Sequence, residues 1–243
     1  MFFLSKKKII LKDLIPTGFK DIHSHILPGI DDGSPDIQTS IGLMRQMQEF
    51  GIEHFTGTPH IYEHVWDNTS QIIQHTLSES NPTFQSELGV QAHAAAEYMM
   101  DDHLAKLVKN RDILTLKDSY ILIEMSYLAP PIHWEQILFD VQLAGYQPVL
   151  AHPERYIYWR TDFAAFNKFK DRGCLFQMNA LSPTGYYGWE VLESAEKLLK
   201  ENFIDCVGTD IHHQRHIDAF KQPLQIKSIK EFEQAFDHSL NKL

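Results

Sequence analysis

The sequence predicts an α/β fold of parallel βα units drawn into a closed or nearly closed barrel. Three observations predict it. Seven short strand-like runs alternate with helical runs along the chain, the pattern of parallel βα units. No GxGxxG follows the first strand and no GxxxxGK[ST] occurs anywhere, which removes the main support for a nucleotide-binding open sheet. Six of the seven expected strand ends carry an imidazole or a carboxylate, and a parallel barrel gathers its chemistry at the C-terminal ends of its strands.

Taken in order, FKDIHSH (19–25) reads as the first strand. Ser34 then offers a helix cap with Pro35 at the first position, and Ile37, Ile41, Met44 and Met47 follow at helical spacing before Gly51. IEHFTGTPH (52–60) is the second strand, followed by a loop at Trp66-Asp67-Asn68 and a helix holding Ile72, Ile73 and Leu77. VQAHAAAEYM (90–99) is the third strand, and DDHLAKLVK (101–109) a short helix. SYILIEMS (119–126) is the fourth and most strand-like run. Helix WEQILFDVQLAGY leads to a fifth strand, QPVLAHP (147–153). Helix DFAAFNKFKDRG leads to a sixth, CLFQMNAL (174–181). Helix WEVLESAEKLLKENF leads to a seventh, IDCVGTDIH (204–212). The tail places Ile229, Phe232, Phe236 and Leu240 on one helical face.

Composition narrows the class. A chain of 243 residues with 43% apolar content suits a single domain over 1–243 with a proper core. A net charge of −10 argues against nucleic acid as a partner. Cys174 and Cys206 are far apart with no CxxC, so neither a disulfide framework nor a thiolate cluster is expected. MFFLSKKKII has too short an apolar run, on the wrong side of its lysines, for a secretory leader. No run approaches the ~18 apolar residues of a membrane span. The expectation is a reduced, cytoplasmic protein without membrane insertion.

The strand ends carry the chemistry. The first presents His23 and His25, with Asp31 and Asp32 in the loop beyond; the others present His60, Glu97, Glu124, His152, Asn179, and Asp210 with His212. Residues i and i+2 on a strand share a face, so His23 and His25 can grip one ion, and Asp210 and His212 can both reach inward. One HxH pair alone is a weak signal, and a single buried acid is as often a satisfied core pair. The full set is different, because buried acids without partners cost several kcal/mol each. Imidazole and carboxylate are ligands that divalent transition metals accept.

DIHSH, TPHIY, AAEYM, LIEMS, AHPERY and GTDIHH, in that order, resemble the PHP (polymerase and histidinol phosphatase) superfamily over residues 19 to 216. DIHSHILPGIDDG and AHPERY are similar to the bacterial PHP-type protein-tyrosine phosphatases of capsule and exopolysaccharide gene clusters. The resemblance implies a distorted (β/α)7 TIM-like barrel and three divalent metal ions, manganese first, with iron, zinc or cobalt as alternatives. It places one ion on His23, His25, Glu97 and Asp210. A second shares Glu97 and takes Glu124 and His152; a third takes Asp32, His60 and His212. Asp32, just before Gly33, is chosen over Asp31. Arg155 and Arg215 resemble arginines that hold the phosphoryl group, as guanidinium suits bidentate phosphate contact.

The implied activity is hydrolysis of phosphotyrosine by a metal-bound hydroxide, on the tail of a bacterial tyrosine kinase that controls polysaccharide export. The aromatic residues Tyr62, Trp66, Tyr127, Tyr156, Tyr158, Trp159, Tyr186 and Tyr187 fall in the same loops. A general acid, if there is one, could be His213 or His216. Two other readings stand beside this one: a phosphatase of histidinol phosphate or another small molecule, and a non-catalytic, metal-stabilised phosphoprotein-binding domain. A cysteine phosphatase is excluded, since neither cysteine has an arginine six residues on. Amidohydrolase barrels also open with HxH, but many place a carbamylated lysine where this chain has Glu124.

Overall fold

A computed structural model describes residues 8–160 and 163–242, with no side-chain description for 240–242. Leu240 of the expected apolar face and the residues 1–7 weighed as a leader lie outside it. The strands are β1 (Phe19–Ser24), β2 (Ile52–Gly57), β3 (His60–Ile61), β4 (His93–Ala94), β5 (Glu97–Met99), β6 (Tyr120–Glu124), β7 (Gln147–Ala151), β8 (Leu175–Asn179) and β9 (Cys206–Gly208). The helices are α1 (Ile37–Glu49), α2 (Ser70–Leu88), α3 (Asp102–Asn110), α4 (Trp134–Leu143), α5 (Ala164–Asp171), α6 (Trp189–Lys200), α7 (Gln214–Ala219) and α8 (Ile229–Lys242).

Every strand pair is parallel. The strands form two sheets, β1-β2-β4 and β3-β5-β6-β7-β8-β9, rather than one closed ladder. The second and third expected strands are each split in two, at residues 58–59 and 95–96. Pro59 has no N–H to give a ladder. Thr58 instead turns to β1, its N–H donating to the Ser24 carbonyl at 2.7 Å. Two backbone hydrogen bonds join β1 to the end of β9, His25 N–H to the Ile211 carbonyl (2.9 Å) and Asp210 N–H to the His23 carbonyl (2.8 Å), while Ala95 N–H extends the β2–β4 ladder to the Gly57 carbonyl (2.9 Å).

Helix α1 starts later than the Ser34-Pro35 signal suggested. Its cap is Asp36, whose carboxylate accepts from Thr39 N–H at 2.8 Å. Ser34 is held in the preceding loop, donating its N–H to the His25 carbonyl and accepting from Gly29 N–H. Helix α2 runs on to Leu88 through Pro82. No helix among the described residues is long and apolar enough to cross a membrane.

Strands β6, β7 and β8 are buried almost throughout, as parallel strands covered on both faces should be. A small cluster of Ile22, Leu122, Val149, Ala151 and Cys206 joins β1 to β6, β7 and β9, so residues of the two sheets meet. The larger core lies between sheets and helices. Trp134 stacks on Phe169 at 4.3 Å, and α8 packs Phe236 edge-on against Phe19 of β1 at 5.1 Å. Phe236 also meets Phe232 and is buried. Truncation by Phe236→Ala is predicted to cost about 3–5 kcal/mol, read as a lower urea midpoint. A loss below about 1 kcal/mol would show that α8 does not complete the core.

Candidate metal centre

Apart from Arg215, the expected site residues converge at one end of the strands, within or just beyond β1, β6, β7 and β9 and at the start of the short strands β3 and β5. His23 lies in β1 with His25 just beyond it; His60, Glu97 and Glu124 lie on β3, β5 and β6; His152, Asp210 and His212 follow β7 and β9. Glycine makes room for them. A Cβ on Gly33 would fall 2.2 Å from the His25 carbonyl oxygen, and one on Gly208 would fall 2.7 Å from His23 Cβ. His152 and Asp210 take left-handed backbone, with φ of 34° and 52°. Such conformations cost non-glycine residues about 1–3 kcal/mol and persist where the surroundings enforce them, often at functional sites.

His23 Nε2, His25 Nε2, Glu97 Oε2 and Asp210 Oδ1 form one tight group. The two nitrogens are 3.3 Å apart. His23 Nε2 lies 3.2 Å from Glu97 and 3.4 Å from Asp210; His25 Nε2 lies 3.3 and 3.4 Å from the same oxygens. All four residues are buried. A tetrahedral ion with bonds of about 2.0–2.1 Å would set its donors about 3.3–3.4 Å apart, so this donor set fits a small divalent ion. The other ring nitrogens are engaged: His23 Nδ1–H donates to Gln177 Oε1 and His25 Nδ1–H to Asp31 Oδ2, each at 2.7 Å. Both Nε2 atoms are thereby turned toward the shared centre.

Two further groups adjoin it. His60, Glu97 and Glu124 make one, with His60 Nδ1 at 2.8 Å from Glu124 and 3.3 Å from Glu97. His25, Asp32, His60 and His212 make the other; Asp32 Oδ1 lies 3.5 Å from His60 Nε2 and 3.4 Å from His212 Nε2. His25, His60 and Glu97 each belong to two groups. His152 lies beside these groups without belonging to one, its Nε2 2.9 Å from Glu97 Oε1, the carboxylate with which the sequence paired it.

A cavity of about 240 Å³ opens onto these groups, with Arg155, Tyr127, Tyr187, His213 and His216 in its wall. The Arg155 guanidinium lies between the Tyr127 and Tyr187 rings, 4.4 and 4.6 Å from their centres, and donates to Asp210 Oδ2 at 3.0 Å. Arg215 is not in that wall and is exposed in the first turn of α7. Neighbours on a helix point about 100° apart, and His216 takes the inward place.

The supporting residues were less visible in sequence. Asp31 is a hydrogen-bond partner of His25, and Gln177 sits two residues before Asn179 on β8, a spacing that could have marked it. Asn179 Nδ2–H donates to Asp210 Oδ2 at 2.6 Å. Buried Glu154 Oε1 accepts from Asn179 N–H and the Ser182 hydroxyl. Of the tyrosines and tryptophans noted in the loops, Tyr156 and Trp159 are core residues.

Comparison with known proteins places this arrangement. A family model described as capsular polysaccharide synthesis, CpsB/CapC, matches residues 19–238. The chain belongs to the CpsB/CapC family. Tyrosine-protein phosphatase YwqE of Bacillus subtilis is 29% identical over 214 residues, 87% of this chain and 84% of that protein. Tyrosine-protein phosphatase CpsB of Streptococcus pneumoniae is 27% identical, covering 79% and 82%. A solved structure from work on YwqE and CpsB, described as unique metal-dependent tyrosine phosphatases, superposes with TM-score 0.76 at 28% identity and covers 90% of this chain and 89% of that one.

In this CpsB/CapC site without cations, protons would have to balance the carboxylates. Burial works against the ionised forms of Glu97 and Asp210, yet His23 and its neighbours hold both well below the usual carboxylate range. Burial lowers His60, but Glu124 and Glu97 outweigh it and raise its pKa to about 9. His25 is raised well above its ordinary value, chiefly by Asp31 acting against burial. Cavity-wall His216 is lowered to about 3 by burial and by His213. At neutral pH His60 and His25 are therefore protonated in the metal-free protein, and a cation must displace those protons. Calorimetric titration of Mn²⁺ in buffers of different ionisation enthalpy is expected to show proton release. Proton uptake, or none, would mean that these histidines are already neutral.

Proposed function

We propose that this chain is a metal-dependent phosphotyrosine protein phosphatase. The observation that carries the reading is the juxtaposition, in one cavity, of a buried imidazole–carboxylate cage and a guanidinium clamped between two tyrosine rings. Membership of the CpsB/CapC family and likeness to named tyrosine-protein phosphatases support it.

The reading assigns His23, His25, Glu97 and Asp210 to one ion, and Glu97, Glu124 and His152 to a second with His60 at its edge. Asp32, His60 and His212 take the third. The donor distances given above support the first assignment most directly. Bound divalent ions would supply positive charge for the phosphoryl oxygens and lower the pKa of a water nucleophile. Gln177 and Asp31 orient His23 and His25, and Asn179 holds Asp210. Arg155 offers its planar donors to the phosphoryl group from a fixed ring sandwich. A phenol leaves with a pKa near 10, so it needs less acid assistance than an alkoxide. The remaining parts of the proposal are manganese as the working ion, one distorted (β/α)7 barrel domain over residues 1–243, a cytoplasmic setting, and the tail of a bacterial tyrosine kinase as substrate.

Chelated protein should regain aryl phosphate turnover when divalent metal is returned. In a competition at equal concentration, a phosphotyrosine peptide should exceed a phosphoserine peptide and histidinol phosphate by at least about tenfold in kcat/KM, about 1.4 kcal/mol of discrimination. Faster turnover of histidinol phosphate would overturn the assignment. Arg155→Ala should keep its metal content and lose roughly 1.5–3 kcal/mol of transition-state stabilisation, with Arg155→Lys recovering only part. Unchanged kinetics in both variants would take Arg155 out of the site.

A further inference from the structure

Two apolar grooves flank the catalytic cavity and share residues with it. On one side Tyr62, Val65, Trp66, Met125 and Leu128 line a groove of about 340 Å³ that reaches His60, Glu124 and Tyr127. On the other, Ile157, Trp189 and Val191 line one of about 300 Å³ that reaches Arg155, Tyr187 and again Tyr127. Tyr127 thus borders all three spaces. Large apolar side chains lie bare here: Leu128 is 92% exposed and Trp189 66%, with Val65 and Ile157 also exposed. Leaving such residues in water at the rim of a polar site has no folding benefit, and apolar patches of this kind mark binding surfaces.

We infer that the grooves receive apolar side chains on either side of the phosphotyrosine in an extended substrate segment. The inference rests on the phosphotyrosine reading and deepens it. Continuity selects this occupant. A phosphoryl group held at Arg155 puts its tyrosine beside Tyr127, and the chain leaving that tyrosine in either direction enters a groove. Local charge agrees. Arg160, beside Trp189, is already paired with Glu190 at 3.3 Å and Glu193 at 2.9 Å, and stacks on the Trp189 ring at 4.8 Å. That side therefore presents an aromatic face whose cation is outweighed by two carboxylates, Glu190 being in the groove wall, so it disfavours an acidic flank and leaves the apolar face for an uncharged one. Cavity and grooves together form an open trough, unlike the enclosed pocket that a small metabolite wants.

The test compares p-nitrophenyl phosphate with two phosphotyrosine peptides, identical except for leucine or serine at the two residues on each side. The metal-loaded protein is expected to favour the leucine peptide by at least about tenfold in kcat/KM, about 1.4 kcal/mol, mostly through KM. Trp189→Ser and Leu128→Ser should each erode that preference while p-nitrophenyl phosphate turnover persists, which also shows that the variants fold. Equal turnover of the two peptides, with p-nitrophenyl phosphate still hydrolysed, would overturn the inference. So would a change of oligomeric state in either variant without a change in preference, since the patch would then bind a second copy. Failure to hydrolyse p-nitrophenyl phosphate would instead remove the phosphatase reading beneath it.

Discussion

Two buried imidazole nitrogens, His23 Nε2 and His25 Nε2, face each other at 3.3 Å, and most of the site follows from what that contact requires. Two protonated nitrogens at this distance repel, and two bare ones leave Glu97 and the Oδ1 side of Asp210 short of balancing charge, Arg155 being paired with Oδ2. Both Nδ1 atoms are already committed to Gln177 and Asp31. Only something positive between the rings and the two carboxylates satisfies every member. Protons do so incompletely, because each raises the cost of the next. One divalent ion does so at once, and the donor spacing is that of a small ion's coordination shell.

The fold exists around that requirement. Parallel strands bring their C-terminal ends to one side, where β1 and the turn after β9 deliver donor atoms and the short strand β5 begins with another, Glu97. Gly33 and Gly208 let chain segments approach His25 and His23 more closely than any side chain would allow. His152 and Asp210 accept unfavourable backbone to aim inward. The strain is held by hydrogen bonds around it, from Asn179 to Asp210 and from Asp210 N–H to the His23 carbonyl at 2.8 Å. The interrupted second and third strands belong to the same arrangement. Pro59 ends one ladder, and another resumes at His60 and Glu97, two donors of the cage.

The chain stated much of this in advance. His23 and His25, two apart on a strand, had to share a face, and the structure sets their nitrogens side by side. Runs such as SYILIEMS declared a buried strand ending in an acid, and Glu124 closes β6 as that pattern requires. Spacing along one strand cannot report distances between strands. His60 therefore serves two groups, while His152 meets Glu97 at 2.9 Å and sets its ring 5.6 Å from that of His23. Arg215 shows the limit of counting residues from a motif: a short helix turns it outward and His216 inward. Asp31 and Asp32 were a choice between neighbours, and both are used, one beside His212 and one behind His25. The late start of α1 was hidden for a related reason, since Ser34 is occupied with the loop that carries those aspartates.

Asp210 ties the halves of the site together. One of its oxygens belongs to the donor group with His23 and His25, while the other accepts from Arg155 and Asn179. The carboxylate that helps hold a cation thus also holds the guanidinium proposed to meet the substrate. A cation held at Oδ1 would draw electron density from Oδ2 and weaken its hold on Arg155, whose guanidinium would then be freer to meet an anion. A chain of net charge −10 repels anions at long range, but screening confines that repulsion to about 8–10 Å. Within the cavity the sign of the field would then be set by any cation held on the Oδ1 side of Asp210 and by Arg155 on its Oδ2 side.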